Sequence, residues 1–116
     1  MHEMSLAMSI VDLVMEQSTR EGEVDRVSEV EVEVGNLAGV LIDSLEFCLE
    51  AAARSTLLEE ANFKIIPTMA QGECPSCRAS FEVDSLYAVC CHCGAAGVAI
   101  SGGQELKVRS FTIEEK

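Results

Sequence analysis

The chain has 116 residues, 20 of them acidic and 8 basic, for a net charge of −12, and 48% of its side chains are hydrophobic. That charge argues against nucleic acid as a partner, because phosphate binding draws its affinity from Lys and Arg. No apolar run approaches the roughly 20 residues that a membrane helix needs, and the length supports one modest core with a small satellite.

The pattern from Ser5 to about Gln17 is helical, with Met4, Leu6, Met8, Ile10, Val11, Leu13 and Met15 recurring at three and four to give a broad apolar stripe. Arg20-Glu21-Gly22-Glu23 makes a polar turn. From Val27 to Val34 the period becomes two: Val30, Val32 and Val34 alternate with Glu29, Glu31 and Glu33. This reads as a strand with one face on the core and its glutamates in water, near Lys64, Lys107 or Arg109 if those strands are neighbours. After the loop Gly35–Gly39, Asp43 and Glu46 stand at capping-box spacing before a second helix. Its apolar face is Leu45, Cys48, Leu49 and Ala52, and it fades near Thr56. Phe63–Ile66 reads as a second strand ended by Pro67, and Leu106–Ile113 as a third. The expected fold is α+β: two helices on one face of a small three-stranded sheet.

The stretch from about Met69 to Gly103 interrupts this pattern. Cys74-Pro75-Ser76-Cys77 and Cys90-Cys91-His92-Cys93 carry two C-x2-C pairs separated by twelve residues, Arg78 to Val89. Two such turns supply four thiolates, the number a tetrahedral structural Zn(II) takes. Ser80–Val83 and Leu86–Val89 between them are each long enough for one short strand, so turn, strand, strand, turn gives an inserted four-cysteine zinc ribbon. Zinc is thus expected at Cys74, Cys77, Cys90 and Cys93. Cys91 is surplus to a four-sulfur site, His92 suits a supporting or solvated role, and Cys48 reads as a small core residue. Disulfides suit secreted proteins, but the opening Met-His-Glu-Met lacks a basic region followed by an apolar core, and metal thiolates must stay reduced, so a cytoplasmic setting is expected. The expected organisation is residues 1–68 plus 104–116 as an α/β domain and 69–103 as a zinc-binding domain.

The opening Met1-His2-Glu3 has chemistry of its own. A terminal amine, a deprotonated backbone amide and an imidazole form fused chelate rings, a nitrogen set suited to square-planar Ni(II) or Cu(II). On chemistry alone a terminal histidine is more often simply solvated. The whole chain, however, resembles the HypA/HybF family of hydrogenase nickel-insertion proteins. The residues that carry this are Met1-His2-Glu3-Met4-Ser5-Leu6, Val30-Glu31-Val32-Glu33-Val34-Gly35, the two C-x2-C turns, and Leu106-Lys107-Val108-Arg109-Ser110-Phe111. The second turn departs from the family pattern, with Cys91 where a proline is expected.

The resemblance implies nickel at His2 with the Met1 amine and nearby backbone nitrogens, Glu3 adjoining, and zinc at the four paired cysteines. It implies a metallochaperone rather than an enzyme, carrying transient Ni(II) to [NiFe]-hydrogenase. The implied partners are a HypB-type GTPase, the hydrogenase large subunit and, in some hosts, urease maturation proteins. The alternative is a zinc-ribbon adaptor that binds proteins and transfers no nickel, with a thiol oxidoreductase a distant third.

Overall fold

The computed structural model describes residues 2–115, and the chain divides into two compact units. The first comprises the residues up to Glu33, Val40–Ile66, and those from Lys107 onward; the second comprises Val34–Gly39 and Pro67–Leu106.

In the first unit, α1 (Glu3–Arg20) packs against α2 (Ile42–Ala53). Helix α1 is longer at both ends than its apolar pattern predicts. Glu3 places a negative charge in the first turn, and Arg20 closes the last turn on Glu16 at 2.8 Å, each in the favourable sense for the helix dipole. The buried stripe is narrower than expected and centred on Ala7, Ile10, Val11, Val14 and Ser18, leaving Met4, Met8 and Leu13 exposed. The capping box at Asp43 does not form. Leu41 is the N-cap of α2 and has no side-chain cap, while Asp43 lies inside the first turn as a favourable charge. The Leu41 amide instead donates to the Glu3 carboxylate at 3.4 Å.

Strands β1 (Val24–Gly35), β2 (Asn62–Thr68) and β6 (Leu106–Glu115) form a sheet in the order β2-β1-β6. Arg26 meets Glu60 just before β2 begins, and the Asn36 amide donates to the Thr68 carbonyl where it ends, so β1 and β2 run the same way. Strand β6 runs the other way: Arg26 pairs with Glu114, the Ser28 hydroxyl donates to the Thr112 carbonyl, Ser110 donates to Glu31, and Lys107 pairs with Glu33. Val27, Val30 and Val32 are fully buried and form the sheet's share of the core with Leu45, Leu49 and Leu58. The glutamates of β1 take the other face as half-buried side chains, with Glu33 3.4 Å from Lys107. Strand β2 runs through Pro67 rather than stopping before it, which an edge strand tolerates because the missing N–H need not bond a neighbour.

One irregularity lies in β6. Lys107 and Ser110 both reach carboxylates on the water side of β1, yet they are three residues apart while Glu33 and Glu31 are two apart. The pleat of β6 therefore slips by one residue between them, as at a bulge.

The second unit has a sheet of its own, ordered β4-β3-β5, with β3 (Ala70–Glu73), β4 (Ser80–Val83) and β5 (Ala99–Ser101) all antiparallel. Gly72 faces Phe81 on one side and Ile100 on the other, and a Cβ there would meet the Val98 and Val83 side chains at 2.7 and 2.8 Å. The strand expected over Leu86–Val89 does not form. Ser85 turns the chain by accepting the Tyr87 amide at 3.1 Å, and Leu86, Tyr87 and Val89 stand exposed.

The short segment Val34–Gly39 belongs with this second unit because its backbone bonds are made there. The Gly35 amide donates to Glu105 at 2.7 Å and the Leu37 amide to Gly103 at 2.6 Å. The Asn36 side chain closes the arrangement, donating to the Val83 carbonyl at 2.8 Å and accepting the Ala70 amide at 2.9 Å. Among the described residues no helix is long and apolar enough to cross a membrane.

Candidate metal centres

The two C-x2-C turns fold alike. In the first, the Arg78 amide donates to the Cys74 carbonyl at 3.0 Å and the Cys74 amide to Ala79 at 3.0 Å. In the second, Gly94 donates to Cys90 and Cys90 to Ala95, both at 2.9 Å. The residue after each second cysteine takes a left-handed conformation, Arg78 with φ 63° and Gly94 with φ 77°. That reversal turns successive amides toward sulfur: Ser76 and Cys77 donate to the Cys74 sulfur, each at 3.4 Å, and His92 and Cys93 to the Cys90 sulfur at 3.3 and 3.4 Å. Equivalent turns from different sequences show that the spacing and the chirality after the second cysteine set the geometry.

The turns bring Cys74, Cys77, Cys90 and Cys93 together, with all four sulfurs within 4.8 Å of one another. The Cys74 and Cys93 sulfurs are 3.5 Å apart and those of Cys77 and Cys90 3.6 Å. A tetrahedron with metal–sulfur bonds of about 2.3 Å has sulfurs about 3.8 Å apart, so the four residues fit a tetrahedral cation. The disulfide alternative is not realised, since all six cysteines are free.

The charge distribution also suits a dication. The Cys77 amide pulls the Cys74 thiol down to about 6 against its burial, helped by the Ser76 amide and the sulfurs of Cys93 and Cys77. Burial raises Cys90, but the Cys93 and His92 amides outweigh it and the thiol is lowered. The Ala95 amide favours ionisation of Cys93, yet the neighbouring sulfurs of Cys74 and Cys90, with burial, push it up to about 12. Cys77 is raised too: the Ala79 amide lowers it, but burial and the Cys90 sulfur win. A dication bound here would displace the protons that the four sulfurs otherwise hold, so its binding favours the ionised form of all four.

Cys91 and His92 stand outside the cluster. Cys91 occupies the place in the second turn that Pro75 holds in the first and is exposed, while His92 meets Phe81 edge-on with ring centroids 6.3 Å apart. Cys91→Ala is therefore expected to keep a full equivalent of metal, measured by elemental analysis of the purified protein. Loss of metal in that variant would make Cys91 a ligand.

At the other end of the chain, His2 is the exposed N-cap of α1, and its carbonyl accepts the Leu6 amide at 3.2 Å. Glu3 is half-buried and held by the Leu41 amide. Met1, the third residue expected there, lies outside the described residues. Sequence reasoning missed Leu41 as a partner of Glu3, and nothing in the sequence signals it, because the donor is backbone.

The family model for "Hydrogenase/urease nickel incorporation, metallochaperone, hypA" matches residues 1–113. The "Hydrogenase maturation factor HypA" of Chlorobaculum tepidum is 48% identical over 98% of this chain and all of its own length. That of Geobacter sp. (strain M21) is 36% identical over the same shares. The fold is similar to the solution structure of the Ni metallochaperone HypA from Helicobacter pylori, with a TM-score of 0.66 at 24% identity and both chains fully covered.

Proposed function

This chain belongs to the HypA family of nickel metallochaperones, not to an enzyme family, and from that membership we propose that it carries Ni(II) at its N-terminus for [NiFe]-hydrogenase maturation. In this reading the Met1 amine, His2 and Glu3 hold the cargo. The observation that carries it is the placement of His2: α1 begins at Glu3, so the histidine is exposed and sits one residue from the amine. The Glu3–Leu41 bond anchors the chain directly after it. Nitrogen ligands at such a place can be replaced one at a time by a receiving protein, which suits transfer better than storage.

The four clustered cysteines hold a structural Zn(II), which suits a closed set of four thiolates with no open position for a substrate. The first unit, with α1 and α2, serves as the nickel-binding domain, and the second, Val34–Gly39 with Pro67–Leu106, as the zinc-binding domain. A HypB-type GTPase and the hydrogenase large subunit are the partners, urease maturation proteins a further destination in some hosts, and the cytoplasm the setting.

The test is a nickel titration of zinc-loaded protein with its native terminus, beside His2→Ala and a form extended at the N-terminus. Both altered forms are expected to lose nickel and keep zinc. Wild-type affinity is expected to fall as pH falls, because protons compete for the same nitrogens. Equal nickel affinity in all three would leave a zinc-ribbon adaptor as the better reading.

A further inference from the structure

Helix α2 has two unlike faces. Leu45, Cys48 and Leu49 are buried in the core, while Asp43, Glu46, Phe47 and Glu50, at helical spacings of three, four and seven, are all exposed. No basic residue occurs from Leu41 to Ala53, and among the described residues none of these three carboxylates is ion-paired. Asp43 in the first turn suits the helix dipole. Glu50 stands in the last turn, at the negative end, where a carboxylate disfavours the helix. Nothing in the fold rewards that charge.

The same part of the first unit leaves large apolar side chains uncovered. Phe47 is 68% exposed and Leu41, directly before the helix, 70%. Met4 and Met8, one turn apart on α1, are exposed as well. An open hollow of about 380 Å³, lined by Leu41, Ile42, Asp43 and Ser44, lies at the start of α2. Single apolar side chains on a surface need no explanation, but an aromatic ring among three unpaired charges of one sign does.

Position supplies the explanation. The Glu3 carboxylate accepts the Leu41 amide, so the two helices start side by side and this surface adjoins His2. Phe47 comes six residues after Leu41, about 9 Å along the helix. A protein that binds through an ordinary interface covers about 800 Å² of its partner, a disc of about 16 Å radius. One that reaches His2 to take its cargo therefore covers the outer face of α2 as well.

We infer that the outer face of α2 docks the protein that receives the nickel, a partner that presents Lys or Arg around an apolar socket for Phe47. This rests on the N-terminal nickel site proposed above. The three carboxylates select a basic surface and speed its approach, and Phe47 with the adaptable Met4 and Met8 supplies the apolar contact. In a chain of net charge −12 the same carboxylates also turn acidic surfaces away.

The test is calorimetric titration of the zinc- and nickel-loaded full chain with the nickel-free hydrogenase large subunit, at low and high salt. Phe47→Ser is expected to weaken binding about tenfold or more, because it removes the central anchor. The triple variant Asp43→Asn, Glu46→Gln, Glu50→Gln is expected to bind more weakly and to lose most of the salt dependence that wild type shows. Leu13→Ser, an exposed apolar position beside β6, is expected to bind like wild type. A separate nickel titration of each form keeps the two readings apart: the variants should take up nickel as wild type does, whereas a failed N-terminal site fails in wild type itself. No binding by wild type, a Phe47→Ser variant that binds like it, or salt dependence unchanged in the triple variant would each overturn the proposal. So would loss of affinity for a HypB-type GTPase alone, which would give the face to another partner.

Discussion

Cys74→Ala and Cys93→Ala are each expected to lose metal binding and unfold the second unit, while the first unit keeps its helices and sheet. The reason lies in what each unit buries. The first owns Ile10, Val11, Val14, Val27, Val30, Val32, Leu45, Leu49 and Leu58; the second buries little beyond Val34, Ala70, Val83 and two of the cysteines themselves. So small an apolar core does not offset the entropy of ordering the chain, whereas a structural zinc supplies on the order of 10 kcal/mol at neutral pH. Elemental analysis and amide spectra of both variants check this, with loss of dispersion expected for residues 67–106 and retention for α1 and α2. A chelator should reproduce it in wild type. Acid should as well, since protons compete with the metal for all four sulfurs, Cys90 and Cys74 included although theirs are held lowest. Full metal retention in both variants would remove the four-sulfur assignment.

Gly35→Ala is expected to destabilise the protein by about 3 kcal/mol or more, because overpacking against backbone cannot be relieved by a change of rotamer. Gly35 donates its amide to Glu105, and a Cβ on it would overlap the carbonyl of Gly103 and stand 2.7 Å from the Gln104 nitrogen. Gly103 cannot retreat easily: its φ is +83°, and it sits close against Ala70 and Asn36. Urea denaturation monitored at residues of the second unit gives the size of the loss. A variant as stable as wild type would show that this crossing is looser than the structure has it.

The α+β class, the four paired cysteines and the three strands of the larger sheet were legible in the sequence because each rests on a local, periodic signal. Val30-Glu31-Val32-Glu33-Val34 alternates with burial on one side, and C-x2-C fixes a turn by spacing alone. What was hidden depends on partners far along the chain. Ala70-Gln71-Gly72-Glu73 has no strand-forming side chain, and it is a strand because Ser80–Val83 and Ala99–Ser101 bond to either side of it. Leu86–Val89 has strand-like residues but no partner, so it stays a turn. The Asp43 cap failed because α2 already begins at Ile42, directly after Leu41, which puts Asp43 inside the helix. The resemblance of the opening hexapeptide carried the functional reading further than its chemistry could, because a lone terminal histidine is usually only solvated.

Asn36 and its neighbours bear on how such a protein can be rebuilt. The second unit looks like an insertion, a loop between β2 and β6 that could be cut out and exchanged. It is not a cassette, because Val34–Gly39, far upstream in the chain, is one of its walls. A chimera that transplants only residues 67–106 would pair a foreign ribbon with the resident Asn36, whose amide was shaped to the Val83 carbonyl and the Ala70 amide. During synthesis the same wall leaves the ribosome well before the strands it serves, so it waits for the rest of its unit. Exchange of ribbons between relatives should therefore succeed when the hexapeptide Val34–Gly39 travels with them.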